Sequence, residues 1–270
     1  MSIPLGINPE NAAYHFGFGL GHVVDLYDAR DLLIPGGSAL AYPASVAPLD
    51  GDFPIYDQEQ SNACTAFSVK EAAQIVYKRA TGLTIEVSAR FIWWGARLAL
   101  GWTNRNAGCA IRDAIQFVNA AGLPSEGKCA WDQTKYAEKP SHAAYEQGAD
   151  HKAFGYARTE TLAAAKAALA AGNPVVFGTT LTDAFNKTTR LGGFFAKPEG
   201  GPLGAHAMTI VGYDDTVDCS HAGWSGPPGA FRVRNHWRAS FGDKGRFWMP
   251  YQHFNSGAVT DKWALTGIAR

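Results

Sequence analysis

From Cys64 onward the apolar residues Ala66, Phe67, Val69, Ala72, Ala73, Val76 and Tyr77 recur at helical spacing, and the pattern stops at Thr81-Gly82. It predicts an amphipathic helix with Cys64 in its first turn. Ser88 is a good N-cap for a second helix, with Phe91, Ile92, Trp94, Leu98 and Leu100 as its apolar face. Ile111, Ala114, Ile115, Val118 and Ala121 give a third, closed by Gly122-Leu123-Pro124. Residues 136–152 are polar and read as a linker or surface excursion, after which Glu160 to Ala171 forms an Ala-rich helix ended by Gly172-Asn173-Pro174. The period then changes. Pro174–Thr180, His206–Tyr213, Ala230–Asn235 and Gly245–Met249 are short runs of β-branched and aromatic residues between turn signals, so they read as strands. Helices first and strands later predict an α+β fold of two lobes, helical over 51–135 and β-rich over 136–270. Residues 1–50 lack a period and are broken by Pro35, Gly36, Gly37, Pro43 and Pro48. They read as an extended arm on the body, with a charged knot at Asp25, Asp28, Arg30 and Asp31.

Composition narrows the class. With 270 residues, 46% of them apolar, the chain can build one large core or two lobes. A formal net charge of zero gives no pull toward nucleic acid or an anionic membrane, so neither is expected as a partner. No apolar run is long enough for a membrane span. Met1 to Gly17 carries no Lys or Arg and no apolar core, so a secretory signal is not expected here. That leaves a cytoplasmic location, export by a signal-independent route, or a trimmed signal. The cysteines are Cys64, Cys109, Cys129 and Cys219, with no Cys-x-x-Cys pair and no Cys/His cluster at zinc spacing, so no metal site is expected. Cys109 and Cys129 either pair across a short loop or are two buried thiols.

Candidate chemistry begins at Cys64. A helix N-terminus presents unpaired N–H groups and partial positive charge, and both favour the nucleophilic thiolate. Gln58, six residues earlier, can donate its side-chain amide to an oxygen that turns negative beside the sulfur. The missing base must be a histidine. His15, His22, His142, His151, His221 and His253 sit in loop-like or polar surroundings, whereas His206 opens an apolar strand behind Gly200–Ala205. Asn235 ends another strand and can hold an imidazole in one tautomer through its side-chain oxygen, with Trp237 covering that bond from water. Alone, each has an ordinary reading: buried thiol, core histidine, turn asparagine, loop glutamine. His236 is given no role. Asp218-Cys219-Ser220 is similar to the Asp-Cys-Ser-Gly of peptidoglycan-cleaving cysteine peptidases, but His221 replaces the glycine and no apolar helix follows.

Together, Gln58-x5-Cys64-Thr65-Ala66-Phe67-Ser68, Gly204-Ala205-His206-Ala207 with Val211-Gly212-Tyr213, and Val233-Arg234-Asn235-His236-Trp237 with Phe241-Gly242-Asp243-Lys244-Gly245-Arg246-Phe247 closely resemble the motifs of papain-like cysteine peptidases, in family order. The resemblance spans Phe53 to Phe254 and implies a papain-like two-lobed fold with the cleft between the lobes. It implies that Cys64 is the nucleophile, His206 its proton partner, Asn235 the residue orienting His206, Gln58 with the Cys64 N–H the oxyanion hole, and Trp237 the shield. The expected substrate is a peptide or protein, cleaved through a thioester with no cofactor or metal. Two alternatives stay open: a catalytically altered papain-like binding or regulatory module, and an acyl transferase or amidase on another substrate. The chain also departs from the family. Ser61-Asn62-Ala63 and Thr65 flank the nucleophile where the family has Cys-Gly-Ser and Trp, which removes a common disulfide, and the Cys-x-Gly-Gly groove wall is replaced around Asn104 to Cys109. His206 follows Cys64 by 142 residues and Asn235 by 171, the excess fitting an inserted hairpin over Asp214 to Gly229. The arm, residues 1–50, either blocks the cleft as pro-segments do, giving self-inhibition, or straps the back of the lobes.

Overall fold

The structure is a computed structural model that describes residues 18–35, 42–51, 53–151 and 154–268, Ile268 by its backbone alone. The first 17 residues of the arm, His15 included, and the Gly36-Gly37 turn lie outside the described residues. In chain order the elements are β1 (His22–Val23), β2 (Ser45–Val46), α1 (Cys64–Thr81), α2 (Ala89–Ala96), β3 (Cys109–Ala110), α3 (Ile111–Ala121), α4 (His142–Gly148), β4 (Phe154–Arg158), α5 (Leu162–Ala170), β5 (Val175–Leu181), β6 (Gly204–Asp214), β7 (Ala230–Arg234), β8 (Arg246–Pro250), α6 (Tyr251–Phe254) and β9 (Val259–Ile268).

The predicted stripe of α1 underestimates its burial: every residue from Cys64 to Val76 is buried. The helix therefore runs between the lobes, and its polar residues need internal partners. Lys70 finds them in Glu86 and Glu126, each 3.8 Å away, and in the face of Tyr56, while Glu71 meets Arg234 at 3.0 Å. Gly82 ends the helix in the left-handed conformation, its N–H closing on Lys78. Ser88 caps α2 as expected, accepting from the Phe91 N–H. That helix stops at Ala96, short of the predicted Leu100, because buried Arg97 spends its guanidinium on the carbonyls of Trp102, Arg105 and Tyr136. Leu98 is left half-exposed rather than in the core.

Among the described residues, seven strands form one antiparallel sheet, ordered β4-β9-β5-β6-β7-β8 with β2 added along β6. Its centre is the unbroken ladder of β5 on β6, from Val175 opposite Ile210 to Leu181 opposite Gly204, which places Gly178 opposite Ala207. One core, including Phe177, Phe185, Met208 and Phe247, lies within the β-rich lobe; a second joins α1, α2 and α3 to Val176, Ala207, Trp263 and Leu265 of the sheet. Two expectations change, and the open choice at Cys109 and Cys129 falls to two buried thiols. The 136–152 stretch contains α4, capped by Ser141 and buried through Ala144. Residues 215–229 hold a single short helical turn and no strand of their own, so the expected hairpin is an irregular loop. Cys109 and Cys129 are both free and buried, in different clusters, and so is Cys219, whose thiol burial pushes up to about 11.

Candidate active site

Cys64 opens α1, and its N-cap, Ala63, offers no side-chain cap and no acid follows in the first turn. The positive end of the helix is thus left facing the sulfur. Facing it is the start of β6, and the backbone N–H groups of Ala207, Gly21 and Thr65 nearby favour the thiolate. The Thr65 hydroxyl also donates to the Cys109 carbonyl at 2.9 Å, tying the helix start to β3. Beside it, Asn62 donates twice to Asn106, from its backbone N–H to the side-chain oxygen at 3.0 Å and from its side-chain nitrogen to the backbone carbonyl at 2.7 Å. This amide pair joins the two loops that lack the family's disulfide.

The orientation of His206 follows from one backbone group. The His236 N–H donates to the Asn235 side chain at 2.9 Å, so that atom is the amide oxygen. The same oxygen stands 2.9 Å from His206 Nε2, which must therefore carry the proton. His206 Nδ1 is left as a lone pair with no hydrogen-bond partner. It can take a proton from a thiol. The Trp237 ring lies 4.6 Å from the His206 ring and excludes water from the His206–Asn235 bond. Trp237 also donates its Nε1–H to Gln58 Oε1 at 3.2 Å, which turns the Gln58 amide nitrogen inward. His236, which the sequence left without a role, is buried against Phe67 with its ring 5.1 Å from that of His206.

The arm runs through this site. Phe18 stacks on Trp237, with ring centres 5.0 Å apart and planes 8° from parallel. Gln58 Nε2 donates to the Gly19 carbonyl at 2.9 Å and to that of Ser61 at 2.7 Å, so both its hydrogens are engaged. The Gly21 carbonyl accepts from the Cys109 N–H at 3.0 Å, and β1 continues as a parallel partner of β3. The chain fits only because of its glycines: a Cβ on Gly19 would lie 2.0 Å from the Ser61 carbonyl oxygen, and one on Gly21 2.1 Å from that of Asn62. His22 then enters a slot beside Thr260 and Asp261. Beyond it Asp25 accepts from Trp263 Nε1 and the Arg112 N–H, Asp31 binds Arg112 and Arg158, and Ile34 pairs with the Arg158 carbonyl. The arm rejoins the body at Asp50, whose carboxylate binds the guanidinium groups of Arg234 and Arg246.

Burial sets the charge state. Under the arm Cys64 is wholly buried, which raises its thiol above the usual range even though the surrounding N–H groups pull the other way. Burial, reinforced by His236, lowers His206 well below 6.5 despite the Asn235 hydrogen bond. Both shifts favour a neutral thiol beside a neutral imidazole.

Residues 52–265 match the family described as papain family cysteine protease. The chain belongs to that family. It is a cysteine peptidase, a hydrolase of the papain-like α+β fold. Xylellain, a cysteine protease from Xylella fastidiosa, matches 94% of this chain and 97% of its own at 27% identity, with a TM-score of 0.83. A digestive procathepsin from Tenebrio molitor larval midgut matches 97% of this chain and 83% of its own at 22% identity and a TM-score of 0.70, a likeness of fold. An uncharacterized peptidase C1-like protein of Acanthamoeba polyphaga mimivirus is 25% identical over 92% of this peptidase and 86% of its own length. No described helix is long and apolar enough to cross a membrane.

All five sequence-derived candidates, Gln58, Cys64, His206, Asn235 and Trp237, lie together at this one buried site. Sequence reasoning missed three groups there. Gly19 and Gly21 belong to an alternation, Gly17-Phe18-Gly19-Leu20-Gly21, whose spacing is a signal of close backbone approach. His22 was read as a loop residue, yet its side chain is wholly buried. Asp261 interrupts an apolar run and gave no signal.

Proposed function

We propose that this peptidase cleaves peptide bonds with Cys64 as nucleophile and His206 as its base, and that residues 1–50 form an arm which closes the 51–270 catalytic unit against substrate. The observation that carries the reading is the tautomer of His206: Nε2–H on Asn235, Nδ1 buried and without a hydrogen-bond partner. Nδ1 takes the Cys64 proton as sulfur attacks the substrate carbonyl carbon. The oxygen that becomes negative is held by Gln58 Nε2 and the Cys64 N–H. When the carbon–nitrogen bond breaks, His206 returns the proton to the leaving amine and a thioester remains on Cys64. Water, deprotonated by His206, attacks the thioester, and the acid product leaves with the thiol restored. Asn235 and Trp237 act through His206 by fixing and shielding it.

The closure half rests on Gly19. Its carbonyl sits on Gln58 Nε2, so the donor that must serve a substrate oxygen is engaged by the arm. Solved proforms among the structural neighbours fit this reading. The test uses the full chain opened by Gly21→Ala and an internally quenched peptide library. Turnover that disappears in Gly21→Ala/Cys64→Ala supports the assignment; turnover that survives Cys64→Ala overturns it.

A further inference from the structure

We infer that His236 is a positioning residue of the reaction, set between Glu71 and His206 so that a proton on its ring withholds one from the catalytic imidazole. The inference rests on the peptidase reading of Cys64 and His206 and concerns how that same pair is governed.

His236 follows Asn235 directly, and its carbonyl accepts from the Gln58 N–H at 2.9 Å, which fixes its backbone against the loop that enters α1. The residue is wholly buried. Its ring lies on Phe67 of α1, with centres 5.5 Å apart and planes 20° from parallel, and the His206 ring stands 5.1 Å away. Neither ring nitrogen of His236 has a hydrogen-bond partner. Nδ1 lies 3.9 Å from Glu71 Oε1, too far for a hydrogen bond and close enough for an ion pair once the ring is protonated. That carboxylate oxygen also lacks a hydrogen-bonded donor, although Arg234 Nε stands 3.0 Å from it. A buried imidazole and a buried carboxylate thus face each other with bonding capacity unused, and a proton between them would fill it.

The surrounding charges leave room for that proton. Asp50, Glu71 and Arg234 are buried together, two carboxylates about one guanidinium, whereas Arg246, the second cation on Asp50, reaches the surface with its side chain 19% exposed. Thr209 of β6 gives Glu71 a neutral hydroxyl at 3.1 Å. Lys70, next to Glu71 on α1, is taken up by Glu86, Glu126 and the ring of Tyr56. Asp57 and Arg238, on the chain around the His236 backbone, pair with each other. From the arm, His22 disfavours a positive charge on His206, and it withdraws when the arm does. The buried anion therefore lies on the His236 side of the imidazole pair, while His206 has the neutral Asn235 oxygen. His236 is the ring that takes a proton from acid solution. Catalysis needs the other one, because His206 Nδ1 must accept the Cys64 proton as sulfur attacks and hold it until the amine leaves. Positive charges about 5 Å apart in a protein interior repel enough to shift an equilibrium about tenfold or more. A charged His236 thus opposes the charge that His206 must acquire, and turnover falls as the pH drops.

The experiment follows kcat/KM on one internally quenched peptide between about pH 5 and about pH 8 in the full chain opened by Gly21→Ala, and in the same chain carrying His236→Phe or His236→Gln. Phenylalanine keeps the stack on Phe67 and cannot be protonated; glutamine keeps a polar group toward Glu71. In each variant the ratio of kcat/KM at about pH 5 to that at about pH 8 should exceed the ratio in Gly21→Ala by about tenfold or more. A residue that only packs would change both values together. An unmoved ratio in chains that cleave the peptide therefore overturns the inference and leaves the peptidase reading intact. Nitrogen NMR of the imidazoles in Gly21→Ala/Cys64→Ala needs neither turnover nor a change at residue 236. There His236 should take up its proton before His206, and the reverse order overturns the inference. A Gly21→Ala chain whose Cys64 reacts with iodoacetamide but which cleaves no peptide at any pH overturns the peptidase reading and the inference with it.

Discussion

Replacing Gly21 with alanine should open the cleft without touching the catalytic unit. The added Cβ would lie 2.1 Å from the Asn62 carbonyl oxygen and 2.6 Å from its carbon, both backbone atoms in the turn that enters α1. That turn is held by the Asn62–Asn106 amide pair, so the arm must be the part that moves. Retreat by about an ångström, the scale that overpacking imposes, strains two hydrogen bonds of this stretch: Cys109 N–H to the Gly21 carbonyl and Gln58 Nε2 to the Gly19 carbonyl. Overpacking costs about 1–3 kcal/mol and each lost hydrogen bond about 1 kcal/mol, so docking weakens by about 3–5 kcal/mol. At about 1.4 kcal/mol per factor of ten, the open population rises roughly 10²- to 10³-fold. The assay is the rate of iodoacetamide labelling at neutral pH, with peptide mapping to separate Cys64 from the three other buried thiols. In the parent chain the sulfur is buried and neutral, so labelling should be slow, and in Gly21→Ala faster by the same roughly 10²- to 10³-fold. Equal rates in the two chains, fast or slow, would refute the reasoning.

In the opened chain, Gln58→Ala should lower kcat by about 10²- to 10³-fold with little change in KM, since the lost donor serves an oxygen that is negative only in the transition state; steady-state kinetics on one peptide decides it. Asn235→Ala should cost about tenfold to a hundredfold in kcat, less than the about 10²–10⁴ of the base itself, and should shift the pH–rate profile because the tautomer is no longer fixed. His253 is buried with Nε2 on the Thr179 hydroxyl, and burial lowers it to about 4. A base whose folded value lies below its unfolded value near 6.5 stabilises the fold fully above pH 6.5, and that contribution is lost as pH falls toward 4. The loss amounts to about 3 kcal/mol, and His253→Gln should flatten the decline in denaturant midpoint over that window.

The fold was legible where one period ran unbroken. The stripe from Ala66 to Tyr77 located α1 because a buried helix and an amphipathic one share that spacing. The tail of α2 was not legible, because a single buried arginine drew the chain away from an apolar pattern that continued to Leu100. Strand β9 was hidden by Asp261-Lys262, where the left-handed residue interrupts alternation, and α4 by a polar sequence whose helix signal was only its cap at Ser141. At the candidate site, the convergence of Cys64, His206, Asn235 and Gln58 was legible because the chemistry proposed for them demands particular residue types at particular distances along the chain. His22 and Asp261 were not, since their pairing joins residues 239 apart and neither is unusual in isolation.

If the arm closes the cleft as proposed, the buried anchorage of Asp50 on Arg234 and Arg246 makes it a tethered ligand. Its docking is unimolecular, with the cleft seeing the 18–23 segment at an effective concentration on the order of millimolar, so modest affinity suffices and dilution of the protein does not open it. A single cut changes the order of the reaction. Leu26 and Tyr27 are 84% and 91% exposed, the most accessible apolar residues among the described residues of the arm. Once the chain is nicked there, the segment before the cut is held only by its own dissociation constant. From that moment the fraction of open enzyme depends on how dilute it is, and closure cannot be restored by refolding the same molecule.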